Sequence, residues 1–454
     1  MSDRFVKNQS SGMNMTTGSI PKLLLTFSLP MLLGNLFQVL YNTVDALVVG
    51  NFVGKQALAA VGSTTMAINI AVFFFNGMSM GGSVVISRHY GSGDLDRLHR
   101  AVETTMAMTF ALSIVFTFAG MAAVPTVLRL MDTPDDVMES AAIYLRTYFA
   151  GISGLLVYNM GSGILRAVGD TRRPLLFLIF SSVLNTLLDL LFVVVLRAGI
   201  AGAAIATVLA QFISAALVLA LLTRTRDVYR LTWRDLRPDW AILRDILSVG
   251  LPTGIQSIIT SVSNVFVQSY INGFGSDCMA GWSCYNKLDN FVYLPVQSMS
   301  QAAATFVSQN IGAKQMERAN RGTAVSVWLS VGITAASAVV LVALAPFFVA
   351  FFSRNTEVIR FGVLFMRMNT PFLVLNAVNH VLAGALRGRG DGTGPMVIQV
   401  AGFVVIRQIY LYTITRFIRN EYTVGISYPV GWVSCGIIML VYYWFRHVRK
   451  KTAV

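Results

Sequence analysis

Two acids stand where acids are costly. Asp45 lies in the run L-Y-N-T-V-D-A-L-V-V-G and Asp189 in V-L-N-T-L-L-D-L-L-F, each inside a stretch apolar enough to cross a bilayer. A carboxylate in hydrocarbon is expensive unless it is paired, hydrated, protonated or bound to a cation. The spanning stretches of the first half contain no Lys or Arg placed to be that partner. Asn185 precedes Asp189 by four residues, so both leave their helix on one face. Two carboxyls with Asn and Thr oxygens nearby suit Na⁺ or a proton. The plainer reading is that Asp45 borders the outer interface and Asp189 hydrogen-bonds a neighbouring helix.

The second half is mostly neutral inside its apolar stretches, with Gln256, Asn264, Gln268, Gln297, Asn376 and Asn379. Lys287 and Asp289 are two apart and do not share a helix face. Arg407 sits deep in an apolar run, where it either binds an anionic group or pairs with Asp289. Phe73, Phe74, Phe75, Met66, Met78, Met80, Tyr158 and Tyr293 have the flexible and aromatic character of an adaptable apolar wall. Walker A and Gly-x-Ser-x-Gly patterns are missing, and His89, His99, His380 and His447 are scattered. Cys278, Cys284 and Cys435 have no metal or redox spacing. ATP-driven transport and hydrolytic chemistry therefore lose support, and no cofactor is expected.

These residues need helices to hold them. Of 454 residues, 55% are hydrophobic and 12% charged, about half the charge of a soluble domain, so the chain is expected to be an all-α polytopic membrane protein. Apolar stretches fall at 22–49, 58–80, 101–125, 141–165, 174–196 and 201–222, then at 246–272, 282–306, 323–349, 361–386, 395–417 and 424–446. That predicts twelve transmembrane helices in two six-helix lobes, 1–222 and 246–454, joined by a charged linker at 223–245. The net charge of +14 resides in short loops and reads as topology rather than nucleic-acid binding. Arg88, Arg97, Arg100, Arg166, Arg172, Arg173, Lys314, Arg318, Arg321, Arg387, Arg389, Arg446, Arg449, Lys450 and Lys451 mark one side, with the linker arginines. By the positive-inside rule that side is cytoplasmic and holds both termini. The first twenty residues lack a signal-peptide core.

The halves are copies. G-I-L-R-A-V-G-D-T-R-R-P at 163–174 recurs as G-A-L-R-G-R-G-D-G-T-G-P at 384–395, with Gly163, Leu165, Arg166, Gly169, Asp170 and Pro174 all displaced by 221 positions. Gly and Pro suit a tight connection that opens the next helix, so the motif reads as a repeated turn without substrate contact. An even number of helices per copy relates the lobes by a pseudo-two-fold along the membrane normal, with the substrate path expected between them. The same displacement carries Asn185 onto Ile406, Asp189 onto Tyr410 and Asp45 onto Phe266 or Val267. The acids therefore form a one-sided site, and they are not a relic of the duplicated architecture.

The opening L-P-M-L-L-G-N-L-F-Q-V-L-Y-N-T-V-D-A-L-V-V-G, together with A-L-A-A-V-G, N-T-L-L-D, G-A-A-I-A-T and the repeated G-x-L-R-x-x-G-D-x-x-x-P, resembles the MATE (multidrug and toxic compound extrusion) family, in its bacterial MepA-like and DinF-like branch. The resemblance covers nearly the whole chain after about residue 15. It implies secondary efflux of cationic, amphipathic small molecules across the bacterial inner membrane against Na⁺ or H⁺. By position it implies a first-lobe cation site of Asp45, Asn185, Asp189 and Thr207, where Na⁺ is the only metal expected, with Gln38, Tyr41 and Asn42 beside it. Tyr158, Gln256, Asn264, Tyr293 and Arg407 complete the candidate substrate cavity. Some members carry an acid in helix 7, whereas residues 252–273 here contain none. The competing readings are a lipid-linked precursor flippase of the same superfamily, favoured by Arg407, and a non-transporting receptor or scaffold. The internal repeat lets a monomer suffice.

Overall fold

A computed structural model of the chain describes residues 12–448; Arg449, Lys450 and Lys451 of the basic C-terminal set lie outside them. Every long element among the described residues is helical. Twelve segments follow one another: α1 (Ile20–Val48), α2 (Lys55–Ser92), α3 (Leu95–Leu130), α4 (Asp135–Ala150, then Ile152–Ala167), α5 (Arg172–Asp189) and α6 (Gly199–Arg224). The second series is α7 (Trp240–Asn272), α8 (Ser276–Gly312), α9 (Met316–Ala343), α10 (Thr356–Asn369, then Leu373–Gly388), α11 (Thr393–Val400, then Arg407–Ile414) and α12 (Glu421–Tyr443). The helices overrun the apolar stretches at their polar ends, because side chains such as Arg224 can be solvated beyond the hydrocarbon while the backbone ladder continues.

Among the described residues ten of these helices are long and apolar enough to span a membrane, and α4 becomes an eleventh if its two pieces, bent by 47° at Gly151, count as one. The remaining one is α8, where Asp277, Lys287 and Asp289 dilute the apolar run. Helix starts are set locally. Asp94 Oδ1 accepts from the Arg97 N–H at 3.0 Å, Asn355 Oδ1 from Glu357 at 2.9 Å and Asn420 Oδ1 from Thr423 at 2.8 Å, each satisfying one of the donors that a helix leaves open.

Contacts divide the chain into two units, Met1–Met15 with Leu29–Gly250, and Thr16–Ser28 with Leu251–Val454. In the first unit the linker between α6 and α7 is packed down. Tyr229 and Leu231 are buried, Arg173 Nη1 donates to the Tyr229 hydroxyl at 3.0 Å, and Thr232 donates to Glu103. Phe75 and Met78 are core residues here, Phe75 lying edge-on to Phe116 at 4.5 Å, so they pack the unit and do not line an open wall.

The sequence repeat is also a repeat of hydrogen bonds, each inside its own unit. Ser79 Oγ donates to the Asn159 carbonyl at 3.0 Å in the first, and Ser300 Oγ to the His380 carbonyl at 2.6 Å in the second. Both residues are displaced by the same 221 positions. The turn motif repeats as well. Gly169 and Gly390 have φ of 91° and 87°, a left-handed conformation that glycine alone adopts without strain. Asp170 Oδ1 then accepts from the Arg173 N–H at 3.1 Å and Asp391 Oδ1 from Gly394 at 2.9 Å, opening α5 and α11.

Candidate functional site

The first unit gathers the acids. α1 presents Tyr41 and Asp45, four residues apart, and α5 presents Asn185 and Asp189 at the same spacing, so each helix offers both groups from one face. Asp189 is fully buried, with Asn185 at 1%, Thr207 at 4% and Asp45 at 9% exposure; bulk water does not solvate these groups. The Asp45 and Asp189 carboxyls face each other within hydrogen-bonding reach. Ionised carboxylates only accept, so a shared proton or a bound cation would be needed to join them. With its amide oriented to satisfy both ends, Asn185 donates to Asp189 Oδ2 at 2.9 Å and accepts from the Thr207 backbone N–H at 3.3 Å. The Tyr41 hydroxyl reaches Thr207.

What the acids lack is as informative. Asp45 Oδ1 and Asp189 Oδ1 are buried without a partner, and no ion pair joins either acid to Lys or Arg among the described residues. Hard oxygens from two carboxyls, Asn185, Tyr41 and Thr207 fit a monovalent cation such as Na⁺, and the carboxyl pair fits a proton. Among the described residues no group of three or more His, Cys, Asp and Glu is placed to hold a metal ion. Both helices depart from α-geometry next to their acid. A π-helical turn, Val49–Val53, begins four residues after Asp45, and another, Leu190–Val195, begins immediately after Asp189. Such turns cost hydrogen-bond geometry and concentrate at functional positions.

Sequence reasoning missed the aromatic rim. Tyr144, on the first segment of α4, stands in the electrostatic reach of Asp45 and Asp189, and Tyr148 on the same segment in that of Tyr41 and Tyr144; Tyr148 bonds Gln211 of α6. Their signal was present, since Tyr144 and Tyr148, and likewise Thr207 and Gln211, are four residues apart on one face. Gln38 and Asn42 are exposed on the same stretch of α1. Tyr158 is not brought to the cluster; its hydroxyl donates to the Pro174 carbonyl at the start of α5 at 3.1 Å.

The second unit is organised around bases. Arg407 is 3% exposed and donates through Nη2 to Ser263 Oγ at 2.7 Å. Its expected alternative partner Asp289 is engaged by the Tyr285 hydroxyl at 3.4 Å, and no ion pair joins Asp289 to Arg407. Lys287 lies 5.4 Å from the Phe352 ring centroid. Gln256 accepts from Arg387 at 2.6 Å, so this motif arginine, expected in a turn, points into the bundle instead. Tyr293 packs edge-on to His380 at 5.1 Å, and the Tyr428 hydroxyl donates to Asn264 at 3.5 Å.

Comparison with known proteins agrees with this architecture. The family model MatE matches twice, at residues 30–191 and 252–413. The chain is 28% identical over 438 residues to the "Probable multidrug resistance protein YpnP" of Bacillus subtilis, spanning 96% of this chain and 97% of that one. It is 20% identical over 394 residues to the "Multidrug export protein MepA" of Staphylococcus haemolyticus, spanning 87% of each. A solved structure described as the outward-facing conformation of a multidrug resistance MATE family transporter of the MOP superfamily superposes with a TM-score of 0.91. It has 24% identity and covers 98% of this chain and 100% of that one.

Proposed function

The chain belongs to the MatE family, and from that premise we propose that it is a secondary active exporter of cationic, amphipathic small molecules, driven by antiport with Na⁺ or H⁺ through alternating access. Lobes 1–222 and 246–454, with the linker 223–245 and both termini cytoplasmic, form a monomer that works in a bacterial inner membrane. The observation that carries the reading is the buried pair Asp45–Asp189, facing each other and, among the described residues, without an ion pair to any base. A site that holds two acids and no resident base must take its positive charge from a mobile ion.

The residues divide the work. Asp45 and Asp189 hold the proton or Na⁺; Asn185 orients the Asp189 carboxyl, while Thr207 and Tyr41 supply neutral oxygens. Gln38 and Asn42 of α1 adjoin the site along the helix that carries Asp45, and Tyr158, Gln256, Asn264, Tyr293 and Arg407 remain the candidate substrate contacts. Neutralising the pair removes the reason for α1 and α5 to be held at the π-helical turns beside it. Ion binding is thereby converted into a change of helix shape, which substrate binding opposes.

Fluorescent-dye efflux from expressing cells tests this, with wild type beside Asp45→Asn and Asp189→Asn under imposed Na⁺ and acid pulses. Wild type is expected to export dye with one of the two gradients, and each variant, inserted at normal level, to lose at least tenfold in rate. Unimpaired export by either variant removes that acid from the site.

A further inference from the structure

At one end of the second unit a cavity of about 490 Å³ opens between the start of α1 and the turn from α8 into α9. Its volume falls within the roughly 300–1,000 Å³ of small-molecule pockets. Ile20 forms one wall, while Lys314, Arg318 and Arg321 supply three bases against the single acid Glu317. Arg321 Nη2 donates to Glu317 Oε1 at 2.7 Å in an exposed pair, and Arg318 Nη2 donates to the Gly18 carbonyl at 2.9 Å. Lys314 is exposed and enters no ion pair among the described residues.

The two copies of this turn differ in charge. The residue 221 positions before Lys314 is Gly93, and both are left-handed, with φ of 71° at Gly93 and 59° at Lys314. The Gly93 N–H donates to the Tyr90 carbonyl at 3.3 Å, and that of Lys314 to the matching Ile311 carbonyl at 2.9 Å. Glycine takes up this conformation freely, lysine only at a cost. Gln315 then stands where the first copy has Asp94, the acid that caps α3 and lies 3.6 Å from Arg97. Arg97 and Arg100 recur as Arg318 and Arg321, and Asp96 recurs as Glu317. The second copy thus carries one more base and one fewer acid than the first. A topology signal needs only charge beside the membrane; it needs neither a cavity nor a strained lysine.

Depth selects the ligand. Ile20 and Arg321 each stand two residues before an apolar stretch, at 22–49 and 323–349, which is about 3 Å along a helix axis. That is headgroup level, where basic pockets between spanning helices take anionic lipids. Guanidinium forks and a lysine point charge both match phosphate oxygens. We propose that the cavity framed by Ile20, Lys314, Arg318 and Arg321 seats the phosphate headgroup of an anionic phospholipid from the surrounding leaflet. The site does not depend on the function proposed above, because binding is read without transport.

The test titrates full-length protein in uncharged detergent with phosphatidylglycerol or with phosphatidylcholine of identical acyl chains, and counts bound lipid by native mass spectrometry. The readout is the ratio of the two affinities. Wild type should favour phosphatidylglycerol about tenfold or more. Lys314→Gly restores the residue of the first copy and relieves its backbone; it should lower the ratio about fivefold, the size of one base at a headgroup. Gln315→Glu adds a charge at nearly constant shape, on a side chain that makes no cap bond, and should act similarly. Arg226→Gln, at an exposed position of the linker, should leave the ratio unchanged. A wild-type ratio near one, or a ratio that neither cavity variant moves, overturns the site. An equal loss in Arg226→Gln overturns it too, because lipid then reads the basic face at large. Loss of both affinities in the cavity variants means that the turn only supports the fold, with the same consequence. Glycerol phosphate in excess supplies the headgroup without its chains. If it leaves the lipid bound, the leaflet is the source; if it displaces the lipid, the cavity serves soluble phosphate compounds and the lipid assignment falls.

Discussion

Among single residues, Asp170 separates the geometry of a side chain from its charge. Its Oδ1 caps α5 through the Arg173 N–H, and its other oxygen lies 3.4 Å from Arg173 Nε. Burial nevertheless pushes its carboxyl above the usual carboxylate range, outweighing the backbone and side-chain pull of Arg173. An acid raised on folding prefers its protonated form in the folded state, so its ionisation costs stability as pH rises from about 4, the unfolded value, through the folded one. Asp170→Asn keeps an oxygen for the cap and removes the charge. Its melting temperature in detergent should gain on wild type between pH 4 and pH 7, whereas Asp170→Ala should lose about 1 kcal/mol with the cap. If the Asn variant tracks wild type at every pH, burial of the charge is not what sets this carboxyl. The intramembrane acids were legible in the sequence for the same reason, because a charge in an apolar run has few explanations. Tyr144 and Tyr148 were not, since a tyrosine in a spanning helix is equally at home against lipid, and only the fold shows which face α4 turns inward.

Packing between elements tests the duplication in a way that a shared motif cannot. Gly163 on α4 and Gly384 on α10 occupy matching positions against α2 and α8, but their surroundings differ. A Cβ on Gly163 would meet the Ser79 hydroxyl at 2.4 Å, the movable end of a short side chain. On Gly384 it would meet the Ser300 backbone carbonyl oxygen at 2.3 Å, which cannot move without α8. Overpacking a tight interface costs about 1–3 kcal/mol, against about 1 kcal/mol gained by replacing a helical glycine with alanine. Gly163→Ala should therefore be close to neutral and Gly384→Ala destabilising by about 1–2 kcal/mol, read as thermal melting of the purified variants. Equal effects at the two sites would mean that the halves tolerate change alike despite this difference. The same contrast explains what the sequence hid at this scale. One constant displacement marked the repeated turn, and the structure adds the cap and the paired serine bonds at that same displacement. The motif as a whole was read as a repeated turn; what it did not carry is the reach of Arg387 to Gln256 and Gln399, buried acceptors that α7 and α11 supply in a pairing no local pattern encodes.

For the molecule as a whole, antiport requires that ion and substrate compete through the protein, and such competition is symmetric in free energy. If the ion weakens substrate binding by some factor, the substrate weakens ion binding by the same factor, typically between about 5-fold and 150-fold. The two can be measured separately, as dye affinity with and without saturating Na⁺ or acid, and as ion affinity with and without saturating dye. Equal factors are required by thermodynamics; that they exceed one, and that they depend on Asp45, is what the proposed antiport adds. Asp45→Asn removes a charge that the ion must neutralise while leaving the shape of α1 and its π-helical turn intact. Both factors should then fall together towards one, with the variant still able to bind dye. A factor that survives in Asp45→Asn would place the coupling outside the acid pair. A factor of one in wild type would make the chain a membrane protein that binds its ligands independently, without the linkage that lets an ion gradient drive export.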